Sequence, residues 1–220
     1  MNELLELWKS WLPDLLGGYG ISLQVTGLSL LVGIPLGAGL AVAVPSPNKI
    51  VRAAAIGFVE IGRGAPALIL LQFMYFGLPK TGMALTSFFA SVVALAWCTG
   101  AYTSEIIRAG FEAVPYGQKE AAAVIGLSSF DALRFVVAPQ GLRVALPALL
   151  GFSVMMLQAT SLCYTIALPE LFGRASNIGS DTFQYMPVLI LAALLFAAIC
   201  IPATICVSIL ERRLGRHASN

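Results

Sequence analysis

The long apolar blocks of this sequence limit its fold more than any other feature. The last of them, residues 186–210, contains no charged side chain, and about 20 consecutive apolar residues suffice for a helix to cross a bilayer. Over the whole chain, 58% of residues are hydrophobic and 11% are charged, whereas soluble domains average about 25% charged residues. Such a chain cannot cover a water-facing surface. The sequence therefore predicts an integral membrane protein.

Five apolar blocks predict five membrane spans, at about 19–44, 53–78, 85–108, 142–167 and 186–210. Only helices and closed barrels satisfy all their backbone groups within a bilayer, and the alternating segments of a membrane barrel are missing from the sequence. The predicted fold is therefore all-α. An odd number of spans argues against a simple inverted repeat within one chain, so a pathway across the membrane requires a second copy or a homologous partner.

Lysine and arginine are distributed unevenly between the two sides of these spans. One side carries nine of them: Lys49, Arg52, Arg108, Lys119, Arg134, Arg143, Arg212, Arg213 and Arg216. The other side carries three, which are Lys9, Lys80 and Arg174. Cytoplasmic loops are the ones enriched in these residues. We therefore expect the loop 109–141 and the C-terminus in the cytoplasm, and the N-terminus outside.

Residues 1–18 predict a short external segment at the membrane interface. Acidic side chains outnumber basic ones there, whereas a signal peptide starts with a positive region. Trp8, Trp11 and Leu12 favour an amphipathic segment. The expected organisation is this segment, a membrane domain at 19–210, and a cytoplasmic tail at 211–220.

Side chains that support metal or acid–base chemistry are scarce. The four cysteines lie in apolar blocks and form no C-x-x-C pair, which favours buried thiols over a metal site or a disulfide framework. The single histidine, His217, lies in the polar tail, so histidine-dependent catalysis has no place in the membrane domain. A dispersed net charge of +2 argues against a nucleic-acid partner. We expect a chain that is not an enzyme and holds no metal or cofactor.

The loop 109–141 predicts a helix-turn-helix. Pro115 fits the first helical position, and three alanines in "YGQKEAAAVI" favour the helix that follows. Gly126 suits the left-handed residue that ends it. Ser128 and Asp131 form a capping signature for a second helix.

Pro139 is expected to end this second helix. The small alanine side chains leave a slim face that another protein can approach closely, with Glu120 beside it. Docking into a partner's groove and an ordinary capped loop at the lipid headgroups remain as alternatives.

Arg63 is the one basic side chain well away from the ends of a predicted span, where an ionisable residue is a functional candidate. Its neighbours Gly62, Gly64 and Pro66 predict a broken helix. A half-helix starting near Pro66 offers free N–H groups and, with Arg63, a site for a substrate carboxylate. The alternatives are a self-contained pair with Glu60 or a first turn at the cytoplasmic interface.

A polar stripe at the end of the third span runs from Tyr102, a candidate substrate contact, through Thr103 and Ser104 to Glu105. Glu105 and Arg108 are spaced i, i+3, which favours a structural ion pair, with a contact to a substrate amine as the alternative. Hydrogen bonding between helices is another common role for membrane serine and threonine.

Several motifs resemble those of the permeases of ATP-binding-cassette (ABC) importers. The stretch "EAAAVIG", nine further residues and "VVAP" resemble the EAA motif, E-A-A-x3-G-x9-I-x-L-P. Five residues match it: Glu120, Ala121, Ala122, Gly126 and Pro139. Val136 and Ala138 stand where isoleucine and leucine are usual.

The resemblance extends to the permeases of polar amino acid importers and covers about residues 20–210. Further motifs occur in that family's order: "RGAP", "GAYTSEIIRAG", "VPYGQKEAA" with Gly117, "PQGLR", "ALP" and "TSL". The resemblance implies the transmembrane-domain fold of ABC importers. It also implies that the EAA helix, with Gly117, docks on a cytoplasmic ATPase that binds ATP and Mg²⁺.

A second permease subunit and an external or periplasmic solute-binding protein are the other implied partners, in a bacterial inner membrane. The chain itself has no G-x-x-x-x-G-K-S/T phosphate loop. An autonomous ion-coupled transporter or channel is the alternative, for which Glu60 and Glu105 are the available acids within the spans.

The stretch "LQATSL" departs from the family, since Gln158 and Ala159 stand where most of these permeases have Lys-Asp, and Gly151 replaces a usual asparagine. A neutral residue there resembles the branch for histidine, basic amino acids and opines. Gln158, Thr160 and Ser161 are candidate substrate contacts, with helix packing as the alternative.

Two further expectations concern the helix contacts and the outer side. We expect Gly33, Gly37 and Gly39 to form packing surfaces in the first span. We expect Glu170 to be a solvated loop acid, with a contact to the binding protein as the alternative.

Overall fold

A computed structural model describes residues 2–215 of the chain, with side chains for residues 3–213. Arg216, which was counted on the cytoplasmic side, and His217 of the polar tail lie outside the described residues.

Within the described part of the chain the regular structure is helical. The helices are α1 (Asn2–Ala43), α2 (Lys49–Gly64), α3 (Ala67–Gln72), α4 (Ser87–Glu112), α5 (Tyr116–Val124), α6 (Ser129–Asp131), α7 (Ala138–Ala159), α8 (Leu171–Thr182) and α9 (Tyr185–Gly215). Three of them continue into turns of a different pitch: α3 into Phe73–Gly77 and Leu78–Thr81, α6 into Ala132–Val137, and α7 into Thr160–Ile166.

Four helical runs in the described residues are long and apolar enough to cross a membrane: Glu3–Ala43, Ser87–Glu112, Ser129–Ile166 and Tyr185–Arg213. A fifth is obtained when the bent pair Lys49–Gly64 and Ala67–Thr81 counts as one span. The all-α fold with about five spans is thus confirmed. The predicted segment 53–78 is not one straight helix, because its axis turns by 107°.

Helix α1 passes through residue 18 without a break. Its N-terminal part packs on α9: Trp11 and Leu15 are buried against Val188, and the Trp8 indole N–H donates to the carbonyl of Pro187 at 3.1 Å. Residues 1–18 are therefore not separate in secondary structure from the first span. Their position outside the membrane stays a prediction.

The expectation that Pro139 ends the second helix of the loop is wrong. A π-helical segment, Ala132–Val137, runs directly into α7, and Pro139 lies in the first turn of α7. Proline removes one backbone donor. In a π-helical turn each N–H reaches one residue further back, so the hydrogen-bond ladder already changes register just before the proline. The helical run therefore continues from α6 to Ile166.

Helix α4 lies at the centre, packed against α1, α2 and α7. Glycines on α1 permit the closest approach: a Cβ at Gly33 would lie 2.4 Å from Thr99, and one at Gly37 would lie 2.1 Å from the Thr103 hydroxyl oxygen. The packing role predicted for these two glycines is confirmed. It is wrong for Gly39, where an added Cβ meets nothing within 4 Å.

Candidate functional site

The break between α2 and α3 is set by Pro66. Helix α2 ends at Gly64, Ala65 and Pro66 are extended, and the next helix begins at Ala67. Proline lacks the N–H that would bond to the carbonyl of Gly62, and it pushes the preceding residue out of the helical region. The predicted break is therefore confirmed.

Helix α4 supports the broken end of α2. The Trp97 indole N–H donates to the carbonyl of Phe58 at 3.0 Å, and the two rings stack with centroids 5.1 Å apart. The Tyr102 hydroxyl donates to the carbonyl of Arg63 at 3.3 Å. This carbonyl belongs to the last turn of α2, where a helix has no internal donor to offer it. Tyr102 thus caps α2 from a neighbouring helix.

Arg63, Glu105, Arg108 and Glu112 form a ladder of alternating charges along α2 and α4. The Arg63 guanidinium lies 3.7 Å from the Glu105 carboxylate. Glu105 accepts from Arg108 at 2.6 Å and 3.4 Å, and Arg108 donates to Glu112 at 2.5 Å. The predicted pair of Glu105 with Arg108 is confirmed. Arg63 pairs with Glu105 rather than with Glu60, so the i, i+3 alternative is wrong.

Arg63 is the cation of this ladder that is most available to a further partner. Its side chain is 38% exposed and has one ion pair among the described residues, at 3.7 Å. The guanidinium also lies over the Tyr102 ring, 6.0 Å from its centroid. Glu105, in contrast, is in contact with two guanidinium groups. A substrate amine at Glu105 would have to displace one of them.

The remaining polar residues of this stripe bond within their own helix. The buried hydroxyl of Thr103 donates to the carbonyl of Thr99 at 2.6 Å, and that of Ser104 donates to Ala101 at 2.7 Å. These hydroxyls are therefore satisfied without a second helix. The Tyr102 ring faces α7, where it stacks on Phe152 at 5.6 Å.

Gln158, Thr160 and Ser161 lie where α7 gives way to the turns of Thr160–Ile166. Thr160 is buried and donates to the carbonyl of Leu157 at 2.7 Å, while Ser161 donates to that of Gln158 at 2.8 Å. No hydrogen bond or ion pair among the described residues joins them to Arg63 or Glu105. The exposed Gln158 side chain is the most accessible of the three.

The coupling segment, residues 115–137, is a helix-turn-helix as predicted. Helix α5 ends in a Schellman motif, in which the N–H of Leu127 donates to Ala122 at 3.1 Å and that of Gly126 to Ala123 at 3.0 Å. Gly126 has the positive φ of 82° that such a motif requires. The Ser128 hydroxyl then accepts from the N–H of Asp131 at 3.1 Å and starts α6. Pro115 precedes the helix rather than occupying its first position.

The EAA-like residues of the coupling segment divide between two faces. Gly117, Glu120, Ala121 and Gly126 are exposed, whereas Ala122 is buried against the protein's own chain. Large apolar side chains accompany the exposed set: Tyr116, Val124, Ile125, Phe130 and Phe135. Clustered exposed apolar side chains of this size mark interaction surfaces. Of the EAA-like residues in α5, Ala122 is the one that has a packing role within the chain.

Glu170 is a buried capping residue, so the expectation of a solvated acid is wrong. Its carboxylate accepts from the N–H groups of Phe172 at 2.9 Å and Gly173 at 2.7 Å, at the start of α8, and from the Ser22 hydroxyl at 3.3 Å. Burial raises the pKa of the Glu170 carboxyl above its ordinary value, although these hydrogen bonds oppose the shift. Arg174, which forms an ion pair with Asp14, provides a second tie between α8 and α1.

Trp97 is the site residue that sequence reasoning missed. An indole N–H within an apolar span needs an acceptor, and that requirement was the available signal. Which helix would supply the acceptor could not be read from the sequence, because it depends on how α2 and α4 meet.

Comparison with known proteins identifies the type of chain to which these features belong. Residues 33–216 match the model of the family described as binding-protein-dependent transport system inner membrane component. That match covers most of the chain. The chain belongs to this family. The resemblance inferred from its motifs is thereby confirmed.

Several related permeases match this chain over nearly their full length. It is 33% identical over 205 residues to a probable amino-acid ABC transporter permease, YckA, of Bacillus subtilis (strain 168), covering 93% of this chain and 91% of the relative. It is 35% identical over 216 residues to the nopaline transport system permease NocM of Agrobacterium fabrum, covering 93% and 89%. HisM, the histidine/lysine/arginine/ornithine permease of Salmonella typhimurium, is 35% identical over 234 residues, covering both chains completely.

Solved structures show the same fold. The permease superposes on a chain of an amino acid ABC transporter crystallised with histidines, with a TM-score of 0.89 and 33% identity, covering 96% of this chain and 98% of that one. A chain of the MetNI methionine transporter in an inward-facing conformation has a TM-score of 0.70 at 20% identity, covering 91% and 98%. None of these comparisons favours the ion-coupled alternative.

Proposed function

We propose that this permease forms the transmembrane path of an ABC importer for amino acids or opines in a bacterial inner membrane, with its N-terminus outside and its C-terminus in the cytoplasm. The observation that carries the proposal is its 35% identity, over both complete chains, to a histidine and basic amino acid permease. The similar identity to a nopaline permease extends the substrate class to opines.

The coupling segment is the part of the chain that receives the ATPase. Its exposed Gly117, Glu120, Ala121 and Gly126 lie among apolar side chains that are 61–86% exposed. A helix with such a surface fits a groove on another protein. ATP and Mg²⁺ bind to that partner, since this chain has no phosphate-binding loop of its own. Pro139 allows α6 to continue into α7, so displacement of the segment is transmitted to a spanning helix.

Substrate recognition is assigned to the broken end of α2. Arg63 presents a half-exposed guanidinium that accommodates a carboxylate, and Tyr102 fixes the backbone from which it extends. Glu105 orients Arg63 and gives it up as substrate binds, because Arg108 continues to neutralise Glu105. Gln158 and Ser161 are assigned as secondary polar contacts. The buried Thr160 is assigned to helix packing.

Two further partners complete the importer: a second permease subunit, identical or homologous, and an external solute-binding protein that delivers the substrate. A tag on this chain should therefore retrieve an ATPase and, where the dimer is heteromeric, another permease. Reconstituted in liposomes with the binding protein, the complex is expected to take up labelled histidine, arginine or nopaline only when ATP is supplied on the ATPase side. ATP-independent uptake by this chain alone would contradict the proposal and restore the ion-coupled alternative.

A further inference from the structure

A cleft of about 480 Å³ separates the coupling segment from the ends of α1 and α4. Its walls are mainly apolar, with Val42 from α1, Phe111 from α4, and Leu133 and Val137 from the segment that follows α6. The cleft is thus bordered by three different parts of the fold.

The charged side chains of the cleft leave one positive charge without a partner. Arg108 and Glu112 both line the cleft and form an ion pair at 2.5 Å. Lys119, on α5, is half-buried in the same cleft, and no carboxylate among the described residues lies within 4.0 Å of its ammonium group. A half-buried, unpaired ammonium beside an apolar wall favours a ligand that carries both an anion and a hydrocarbon part.

The cleft lies where two spans end. Helix α1 ends at Ala43 and helix α4 ends at Glu112, and residues close to both ends line the walls. The spans predicted from the sequence, 19–44 and 85–108, place these helix ends where the hydrocarbon core gives way to the lipid headgroups. Basic pockets between spanning helices at that depth bind anionic headgroups.

Helix α5 has one face for the cleft and another for a partner protein. Lys119 and Ala123, spaced i, i+4, line the cleft. Glu120 and Val124 share the same spacing one residue later, and Val124 is 86% exposed. A protein docked on the Val124 face would leave the cleft open to a different ligand.

We propose that this cleft binds one anionic phospholipid, with the phosphate on Lys119 and an acyl chain along Phe111 and Leu133. This goes beyond import and does not depend on it. A bound lipid would fill the space under the coupling segment and stiffen its connection to α1 and α4.

The test is native mass spectrometry of the tagged full-length chain, with the subunits that co-purify, after exposure to phosphatidylglycerol or phosphatidylethanolamine. We expect the native chain to retain phosphatidylglycerol preferentially. Lys119→Gln should lower that retention about fivefold, the effect of one cation near a headgroup, and should leave phosphatidylethanolamine unchanged. Lys119→Arg should preserve the preference. Lys80→Gln, which removes an exposed cation outside the cleft, is the matched control.

A second variant tests the hydrocarbon part of the site. Ala123→Phe narrows the cleft without changing its charge and should reduce the retention of phosphatidylglycerol. Equal retention of both lipids by the native chain would overturn the proposal, as would equal effects of Lys119→Gln and Lys80→Gln. Displacement of the lipid by millimolar inorganic phosphate alone would indicate a site for free anions. Import assays run in parallel on the native complex keep the two proposals distinguishable. A complex that retains phosphatidylglycerol as expected but shows no import counts against the transport function only.

Discussion

The Arg63 guanidinium lies 3.7 Å from the Glu105 carboxylate, which joins the broken end of α2 to the core helix α4. Glu105 is held more tightly by Arg108, at 2.6 Å. If Arg63 binds a substrate carboxylate as proposed, Glu105 therefore keeps Arg108 as its ion-pair partner. Such an exchange would remove one α2–α4 contact when substrate binds, while the hydrogen bonds of Trp97 and Tyr102 to α2 remain.

Replacing Arg63 with glutamine tests this role. Loss of one hydrogen bond to a charged group costs about 1.5–3 kcal/mol, so we expect the apparent affinity for the imported solute to fall by about tenfold or more. Uptake into proteoliposomes as a function of solute concentration measures it. Glu60→Gln is the matched control, because Glu60 lies on the same helix and forms no ion pair with Arg63. A similar loss of affinity in both variants would argue against a specific contact at Arg63.

Replacing Gly126 with valine should separate ATP hydrolysis from transport. Gly126 has a φ of 82°, which costs an L-residue about 1–2 kcal/mol, and β-branching adds to that strain. We expect the Schellman motif to loosen and the ATPase stimulation of the assembled complex to drop several-fold, while membrane insertion stays normal. The measurements are ATPase rate, uptake and the yield of inserted chain. Native rates of ATPase and uptake would contradict a coupling role for this turn.

A substitution at Gly117 tests docking on the ATPase without disturbing the fold of this chain. A Cβ at Gly117 meets no atom within 4 Å in this chain, so Gly117→Phe should leave the thermal stability of the isolated chain unchanged within about 0.5 kcal/mol. If α5 inserts into a groove of the ATPase, the same variant should reduce co-purification of that subunit. Full co-purification would indicate that Gly117 lies outside the contact.

The features predictable from sequence were the local ones. The break at Pro66 and the caps at Gly126 and Ser128 depend on backbone geometry within a few residues, so the sequence contains their cause. An ion pair of Arg63 with Glu60 was one of the alternatives, because that carboxylate is nearest along the helix. The observed partner is Glu105 because of how α2 packs on α4, which no local pattern encodes.

The burial of Glu170 was missed for a related reason. Its loop position and charge favour solvent exposure, but the start of α8 presents two N–H groups to the carboxylate and Ser22 of α1 adds a hydroxyl. A capping acid three residues before Gly173 can be recognised locally. The burial of Glu170 against α1, in contrast, depends on the tertiary fold.

Glu170 should make the stability of the chain pH-dependent. Burial raises the pKa of its carboxyl in the folded protein above the ordinary value of 4.5. A group whose pKa is raised in the folded state stabilises the fold fully at pH values below its unfolded-state pKa. This stabilisation is lost as the pH rises through the folded-state pKa. Thermal unfolding should therefore occur at a higher temperature as the pH falls from neutral towards 4.5. Glu170→Gln should remove this part of the pH dependence. An identical pH profile in the variant would rule out Glu170 as its source.

The contact between α1 and α4 can be tested with two glycines on the same helix. A Cβ at Gly37 would lie 2.1 Å from the Thr103 hydroxyl oxygen and 2.9 Å from the carbonyl of Gly100, whereas one at Gly39 meets nothing within 4 Å. Overpacking of this kind costs about 1–3 kcal/mol, so Gly37→Ala should lower the thermal stability in detergent. Gly39→Ala should be neutral or stabilising by up to about 1 kcal/mol, because alanine favours the helix.

Adding Thr103→Ala to Gly37→Ala separates the two clashes. The hydroxyl is then gone, but the Gly100 carbonyl remains 2.9 Å from the new Cβ. Because a side chain can be removed and a backbone carbonyl cannot, we expect the double variant to recover part of the lost stability and not all of it. Complete recovery would show that the helices can shift apart at Gly100. No recovery would show that the backbone contact, rather than Thr103, sets the distance between α1 and α4.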